Sequence, residues 1–232
     1  MSTGIAIPEP VIAQVEGSGD GFPVRRVFCV GRNYADHARE MGGDPDREPP
    51  FFFTKWAETV VPSGSVIPYP QGTSDFHFEA ELVVAIGKGG RDLTPEQSLG
   101  HIHGYAAGLD MTRRDLQREA RGAGRPWDTA KNVEKGSPLG VIRPANAAGA
   151  MSRGDIRMLV NGEVRQHSDL SCLIWPVADV ISFLSRLYRI EPGDLIYTGT
   201  PSGVGPVVEG DRLRVEIGDL APLDVTIGGA AE

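Results

Sequence analysis

The chain contains little cysteine, no excess of positive charge and few histidines. Among its 232 residues are two cysteines, Cys29 and Cys172, which stand in apolar runs and lack the paired spacing of a zinc or redox site. We therefore expect two buried free thiols in a reducing cytoplasm. The formal net charge of −8 disfavours nucleic acid and anionic membranes as partners, because both bind to basic patches.

The sequence also lacks segments that would direct it to a membrane. No apolar run approaches the length of a membrane span. The N-terminus, MSTGIAIPEP, has neither the basic nor the apolar region of a secretory signal. With 40% hydrophobic and 23% charged residues, the composition is typical of a globular protein, and we expect a cytoplasmic one.

Glycine and proline are abundant, with 30 and 18 residues, which is typical of many short strands joined by tight turns. The pair Asn161-Gly162 between two strand-like runs predicts a β-hairpin, and RLRVEIGDLAPLDVTIG predicts another. Further strands are predicted at VRRVFCV (24–30), FFFTK (51–55), DFHFEAELVV (75–84), HGYAAGLD (103–110) and DLIYTGT (194–200).

Helices are predicted between these strands, at NYADHAREMG (33–42) and PVADVISFLSRLY (176–188). Thr94 starts a capping box in TPEQ, and Thr112 is expected to cap the helix RRDLQREA. No internal repeat or linker is present. The most economical architecture is one α+β domain with a mixed or antiparallel sheet that is rolled or barrel-like.

The strand DFHFEAELVV carries an unusual polar face. Side-chain alternation places Phe76, Phe78, Ala80 and Leu82 on one face and His77, Glu79 and Glu81 on the other. Exposure to solvent is the ordinary explanation of such a face. The run LVVAIG that follows instead indicates a buried strand, in which the two glutamates would repel unless a cation or a proton lay between them.

A third carboxylate would complete a site for a divalent cation. Asp110 is the candidate because it ends an apolar strand, although for this residue alone a turn or helix-start role is the more common explanation. Magnesium and manganese prefer oxygen ligands, and three carboxylates would leave about three octahedral positions for water or substrate.

His37 and Glu40 form a candidate proton-transfer pair, since their i, i+3 spacing on the helix at 33–42 brings the side chains together. Such a pair could deprotonate water, or it could be an exposed ion pair. His77 lies one strand period from Glu79 and is a candidate neighbour of the metal ligands. We expect structural or surface roles for His101, His103 and His167.

An anionic substrate would need positive charge beside the carboxylates. Four basic residues are candidates, each of which could also be a solvated surface residue: Lys131 in PWDTAK, Arg114, Arg32 and Lys55. The loop YTGTPSGVG supplies backbone N–H groups and the hydroxyls of Thr198 and Thr200, which could form an anion-binding turn.

Seven motifs in this order resemble the fumarylacetoacetate hydrolase family, and within it the short single-domain fumarylpyruvate hydrolases and acylpyruvases. The resemblance covers the chain from about Cys29 almost to its end. The motifs are GRNYADHAREM, PPFFFTK, HFEAEL, GYAAGLDMTRRD, PWDTAK, VNGEVRQ and EPGDLIYTGTPSGVGPV.

The resemblance implies a mixed β-roll with short flanking helices, in which residues 24–232 form one catalytic domain after an N-terminal extension at 1–23. It implies a Mg²⁺ or Mn²⁺ cofactor and a homodimer. The implied metal ligands are Glu79, Glu81 and Asp110. The implied catalytic residues are His37, Glu40, Lys131 and Gln117. The implied substrate-binding residues are Arg114 and Thr200. A second carboxylate at the far end of the substrate would need another cation, for which Arg32, Lys55, Arg121 and Arg125 are candidates.

The implied reaction is hydrolysis of a carbon–carbon bond in a 2,4-dioxo acid such as fumarylpyruvate. The His37–Glu40 pair would activate water, and Gln117 or Lys131 would stabilise the oxyanion. A bound cation would stabilise the enolate of pyruvate that leaves. The glycine-containing segment RGAGRPW (121–127) would order over the substrate as a lid.

Two departures from the family pattern concern substrate identity: Trp56 after FFFTK, and NVEKGSPLG (132–140) after the lysine. One alternative keeps the fold and changes the reaction to oxaloacetate decarboxylation, or to isomerisation or hydration in aromatic catabolism. Another is a non-catalytic, metal-dependent binding protein.

Overall fold

The structure is a computed structural model that describes Gly4 and residues 9–36 and 49–230. Eighteen strands lie in this part of the chain, numbered here in chain order. They are β1 Ile12–Ala13, β2 Phe22–Pro23, β3 Arg26–Gly31, β4 Phe51–Lys55, β5 Val60–Pro62, β6 Val66–Tyr69, β7 Phe76–Phe78, β8 Ala80–Ile86, β9 Ile102–Leu109, β10 Thr112–Arg113, β11 Ser137–Leu139, β12 Arg143–Pro144, β13 Asp155–Val160, β14 Glu163–Asp169, β15 Asp194–Tyr197, β16 Gly205–Pro206, β17 Arg212–Ile217 and β18 Leu223–Ala230.

The helices of the described residues are short. They are α1 Pro95–Ser98, α2 Arg114–Gly122, α3 Asp128–Lys131, α4 Ala145–Ala148 and α5 Val177–Leu187, with 3₁₀ turns at Ala57–Thr59, Leu99–His101 and Leu170–Cys172. No helix in the described ranges is long and apolar enough to cross a membrane.

Two large mixed sheets form the body of the molecule. The eight-stranded sheet has the order β4-β3-β15-β8-β9-β11-β5, with β12 also paired to β9, and the five-stranded sheet has the order β14-β13-β17-β18-β6. Parallel pairs (β15 with β3, β11 with β5, β18 with β6) occur among antiparallel ones. The predicted α+β class and mixed, curled sheets are confirmed.

The larger sheet is buried on both faces, which explains the continuous apolar run in β8. Leu82 and Val84 belong to the main core, together with Met158 of the smaller sheet. Val83 belongs to a second core on the opposite face, which includes Phe22 from the N-terminal hairpin. The predicted domain boundary at residue 24 stays a prediction.

Local signals are confirmed where short-range chemistry decides the structure. Asn161 and Gly162 both have positive φ in the β13–β14 turn, and β17 pairs with β18 as the second hairpin. The Thr94 side chain accepts from the Gln97 backbone N–H and the Gln97 side chain accepts from the Thr94 N–H, so the capping box is also confirmed.

Three predictions are wrong. Thr112 does not cap α2: it lies in β10, its hydroxyl donates to the Asp110 carbonyl at 3.0 Å, and the helix begins at Arg114 without a side-chain cap. The strand predicted at 75–84 breaks at Glu79, because β7 pairs in a separate three-stranded sheet with β10 and β16. Cys29 is buried, but Cys172 is exposed because it ends the turn after Asp169, outside the core.

Candidate active site

Three carboxylates meet where β7 and β9 end and β8 begins. Glu79 lies in the break between β7 and β8, Glu81 is the second residue of β8, and Asp110 follows β9. The antiparallel pairing of Ala80 with Leu109, and a hydrogen bond of 2.9 Å from the Asp110 N–H to the Glu79 carbonyl, hold the strand ends together. All three side chains are buried, and one oxygen from each lies within 4.8 Å of the others.

Three buried cations contact two of these carboxylates, Glu79 and Asp110. The Lys131 ammonium contacts Glu79 Oε2 at 2.8 Å and Asp110 Oδ2 at 2.6 Å, and it also donates to Thr112 Oγ1. The guanidinium of Arg114 donates to Glu79 Oε1. The Lys55 ammonium donates to Asp110 Oδ1 at 2.7 Å. These cations therefore balance the charges of Glu79 and Asp110, and none of these bonds reaches Glu81.

Burial sets the proton affinities in the cluster. It raises the pKa of Glu81 well above the usual range, and the neighbouring Asp110 and Glu79 carboxylates add to this effect. For Lys131, burial alone would lower the pKa, but Asp110 and Glu79 outweigh it and raise the pKa. Hard carboxylate oxygens at this spacing fit a divalent cation such as Mg²⁺ or Mn²⁺, which would take the place of a proton as their counter-charge.

A cleft opens onto the cluster, with an aromatic wall on one side. The Trp127 ring packs against Phe51 at 5.3 Å and Phe53 at 5.7 Å between ring centroids. The Lys131 ammonium lies 4.9 Å from the Phe53 ring centroid. The residues that line the cleft are Val30, Gly31, Arg32, Phe53, Glu79, Glu81, Arg114, Gln117, Trp127, Lys131 and Thr200.

The glycine loop after β15 closes the other side. The Gly199 N–H donates to Glu81 Oε2 at 2.7 Å. Thr198 is held away from the cleft, because its hydroxyl donates to the Leu82 carbonyl at 2.9 Å. Of the two threonines proposed as anion contacts, only Thr200 therefore lines the cleft.

The structure brings together most of the residues proposed from the sequence. Glu79, Glu81, Arg114, Gln117, Lys131, Thr200 and Arg32 line one cleft, with Asp110 against them. His37 and Glu40 lie outside the described residues. His77 bonds to Asp75 at 2.7 Å through Nε2. His101 bonds to the Lys88 carbonyl, and the His103 ring packs on Phe22, as expected of structural residues.

Lys55 has a different setting from the substrate contact that was expected. Its ammonium, besides bonding Asp110, donates to the carbonyls of Met111 at 3.1 Å and Gly136 at 2.8 Å. These three bonds use every N–H of the ammonium. The geometry therefore favours charge balance and positioning of Asp110, not contact with the far end of a substrate.

Sequence reasoning also missed two parts of the site. The Gly199 amide that bonds Glu81 carried only the general signal of a glycine turn. Trp127 lies in the segment 121–127, which is predicted from the sequence to be a lid, although its aromatic side chain next to PWDTAK is a signal for packing against FFFTK.

Comparison with known proteins agrees with this geometry. The model of the fumarylacetoacetate (FAA) hydrolase C-terminal family matches residues 26–228. The chain belongs to the fumarylacetoacetate hydrolase family. It is therefore an enzyme of this hydrolase family, and the alternative of a non-catalytic binding protein is not supported.

Individual relatives cover most of the chain. A fumarylpyruvate hydrolase of a Ralstonia species is 48% identical over 192 residues, which are 82% of this chain and 100% of that protein. A mitochondrial oxaloacetate tautomerase of Bos taurus is 38% identical over 193 residues, 83% of this chain and 87% of that protein. The crystal structure of fumarylpyruvate hydrolase from Pseudomonas aeruginosa in complex with Mn²⁺ and pyruvate has 51% identity and a TM-score of 0.94, and covers 97% of this chain and 98% of its own.

Proposed function

We propose that this enzyme hydrolyses a 2,4-dioxo acid, R–CO–CH2–CO–COO⁻, and that fumarylpyruvate is cleaved to fumarate and pyruvate. The observation that carries the proposal is a cleft lined by the buried carboxylates Glu79 and Glu81, with Asp110 against them, together with Lys131, Arg114 and Thr200. A cation on the carboxylates, with basic and hydroxyl groups around it, suits a small anionic oxo acid. The fumarylpyruvate hydrolase relatives support this choice of substrate.

Glu79, Glu81 and Asp110 would hold the divalent cation, Mg²⁺ or Mn²⁺. When bound, the cation supplies Lewis-acid stabilisation of negative charge at the 2-oxo end of the substrate. Arg114 and Thr200 would hold the substrate carboxylate. The aromatic wall of Phe53 and Trp127 would exclude water from the acyl part.

The sequence proposes the proton-transfer pair His37 and Glu40 as the base. It would take a proton from water while the water oxygen bonds to the distal carbonyl carbon. The bond from that carbon to the CH2 group then breaks, and its electron pair stays with the pyruvate part as an enolate. Return of the proton to the CH2 carbon yields pyruvate, and the acyl part leaves as a carboxylic acid that releases the second proton of the water to solvent.

For the oxyanion of the attacked carbonyl, the geometry favours Gln117 over Lys131. Lys131 already uses three N–H donors on Glu79, Asp110 and Thr112. Gln117 Oε1 accepts from the Arg114 guanidinium, so the NH2 end of its amide is left to donate. The proposal extends to a cytoplasmic homodimer, in line with the family resemblance.

The test is a spectrophotometric assay of chelator-stripped protein with fumarylpyruvate and acetylpyruvate, with and without Mg²⁺ or Mn²⁺. Metal-dependent formation of pyruvate from both substrates is expected, and the ratio of kcat/KM values chooses between the fumaryl and the simple acyl substrate. The variant Glu79→Gln, which keeps the shape of the side chain, is the control for metal dependence. Absence of pyruvate from both substrates would refute the proposal.

A second candidate function follows from the relative named oxaloacetate tautomerase. The same cleft would bind oxaloacetate and move a proton between its keto and enol forms, or release CO2 from it. Following enol absorbance and CO2 separately distinguishes the two reactions. Conversion of oxaloacetate with no pyruvate from either dioxo acid would replace hydrolysis by this function.

A further inference from the structure

Gln166 is a buried residue of the VNGEVRQ motif that the proposed mechanism does not use. It lies in β14 and is 1% exposed. Met158 of β13 pairs with Gln166, while Leu159 pairs with Val164, so Arg165 is an extra residue in β14. This β-bulge breaks the alternation of the strand: Val164 and Arg165 are both exposed, and Gln166 points inward.

The orientation of the Gln166 amide is fixed by two backbone groups. The Ala80 N–H donates to Oε1 at 3.0 Å, and Nε2 donates to the Pro201 carbonyl at 2.7 Å. An N–H group can only donate and a carbonyl can only accept, so the amide cannot be reversed. The second N–H of Nε2 therefore donates to Thr200 Oγ1, at 2.9 Å.

The bond from Gln166 determines in which direction the Thr200 hydroxyl can donate its proton. Its oxygen is the acceptor for Gln166, and in the described residues no group accepts the hydroxyl proton of Thr200. Thr200 also lines the cleft beside Glu79 and Glu81. The hydroxyl proton is thus left to be donated to whatever occupies the cleft.

We propose that Gln166 is a positioning residue that turns the Thr200 hydroxyl proton into the cleft, where it donates to the carboxylate of a 2-oxo acid. The inference rests on the proposed function for the class of ligand. It also explains the bulge, which is the feature that aims Gln166 inward. The loop is packed directly on the bulge, since a Cβ on Gly203 would lie 2.4 Å from the Arg165 carbonyl oxygen.

A double-mutant cycle tests this coupling. Pyruvate binding to Mn²⁺-saturated protein is measured by calorimetry for wild type, Gln166→Met, Thr200→Val and the double variant. Loss of a hydrogen bond to a charged ligand predicts roughly tenfold weaker binding for Gln166→Met and for Thr200→Val. The double variant should bind no more weakly than Thr200→Val alone. Thr200→Ser should retain affinity, and the exposed His167→Ala is the matched control on the same strand.

If Gln166→Met does not fold, Gln166→Glu replaces it. This variant has the same shape but offers Thr200 an acceptor, so the hydroxyl would turn towards it and pyruvate affinity should fall as before. The inference would be overturned if the Gln166 substitution lowered pyruvate affinity equally in the wild type and in the Thr200→Val variant. It would also be overturned if the wild type did not bind pyruvate. Because no turnover is measured, an enzyme that shows the coupling but fails to hydrolyse dioxo acids would refute only the proposed function.

Discussion

At the scale of single residues, Lys55 carries a buried charge, and each N–H of its ammonium has a hydrogen-bond acceptor. Its side chain is completely buried, as is that of Asp110, and its ammonium also bonds two backbone carbonyls. Removal of one partner of a buried ion pair leaves the other charge without compensation. Lys55→Met should therefore lower the free energy of unfolding of the metal-free protein by about 3–5 kcal/mol, measured by urea titration.

The exposed Lys88 provides the control, because Lys88→Met should change stability by less than about 0.5 kcal/mol. A loss for Lys55→Met no larger than that of the control would contradict a charge-balancing role. Lys55 lies 55 positions before Asp110 in the sequence, so no local pattern predicts that the two side chains meet.

Gly199 combines a special backbone conformation with a close contact. Its φ is +102°, and a Cβ at this position would lie 2.7 Å from the Asn33 Cβ. Gly199→Ala should lower stability and also weaken Mn²⁺ binding, since the displaced N–H no longer supports Glu81. Thermal unfolding and calorimetric Mn²⁺ titration measure the two effects.

The variant Gly162→Ala distinguishes the effect of the positive φ at Gly199 from the effect of its close contact. Gly162 also has positive φ, +87°, but a Cβ there meets no atom within 4 Å. This variant should lower the free energy of unfolding by only roughly 1–2 kcal/mol, the cost of a left-handed backbone for alanine, and leave Mn²⁺ affinity unchanged. Equal Mn²⁺ affinity in Gly199→Ala and Gly162→Ala would show that the Gly199 amide does not position Glu81.

At the scale of secondary-structure elements, the connection between α2 and α3 carries Trp127 onto the aromatic residues of β4. The rings of Trp127 and Phe51 meet edge to face, at an interplanar angle of 84°. If the segment 121–127 is a lid, Trp127→Ala should lower kcat/KM for fumarylpyruvate by roughly tenfold or more, because closure excludes water. Trp127→Phe should retain most of the activity. Equal activity in both variants would contradict a role of the segment as a lid.

The elements also show which parts of the fold the sequence could predict. The capping box at Thr94 and the turn at Asn161-Gly162 depend on neighbours within four residues, and both were predicted correctly. The break at Glu79 depends instead on the pairing of β7 with β10 and β16, and on Gln166, which lies 86 positions after Ala80 and accepts from the Ala80 N–H. The order of seven motifs predicts the site residues, whereas the ion pairs that join them depend on tertiary packing.

At the scale of the whole molecule, the buried carboxylates of the cleft need a positive counter-charge both in the absence of the metal and when it is bound. Metal-free, burial raises the pKa of Glu81. Between the ordinary glutamate pKa and this raised value, the folded chain binds more protons than the unfolded chain. The contribution of Glu81 to the free energy of unfolding therefore falls as pH rises through that range. A bound divalent cation removes this penalty by taking the place of the proton.

The variant Glu81→Gln turns this linkage into a measurement. In chelator, its stability relative to wild type should increase between about pH 5 and about pH 8, because only the wild type loses a favourable proton. In saturating Mn²⁺ the wild type should be more stable than the variant. The wild type gains binding free energy from the cation that the variant, with one carboxylate fewer, does not. Urea midpoints at both pH values, with and without Mn²⁺, give all four comparisons. A stability difference that is independent of both pH and Mn²⁺ would mean that Glu81 neither holds the proton nor contributes to the metal site.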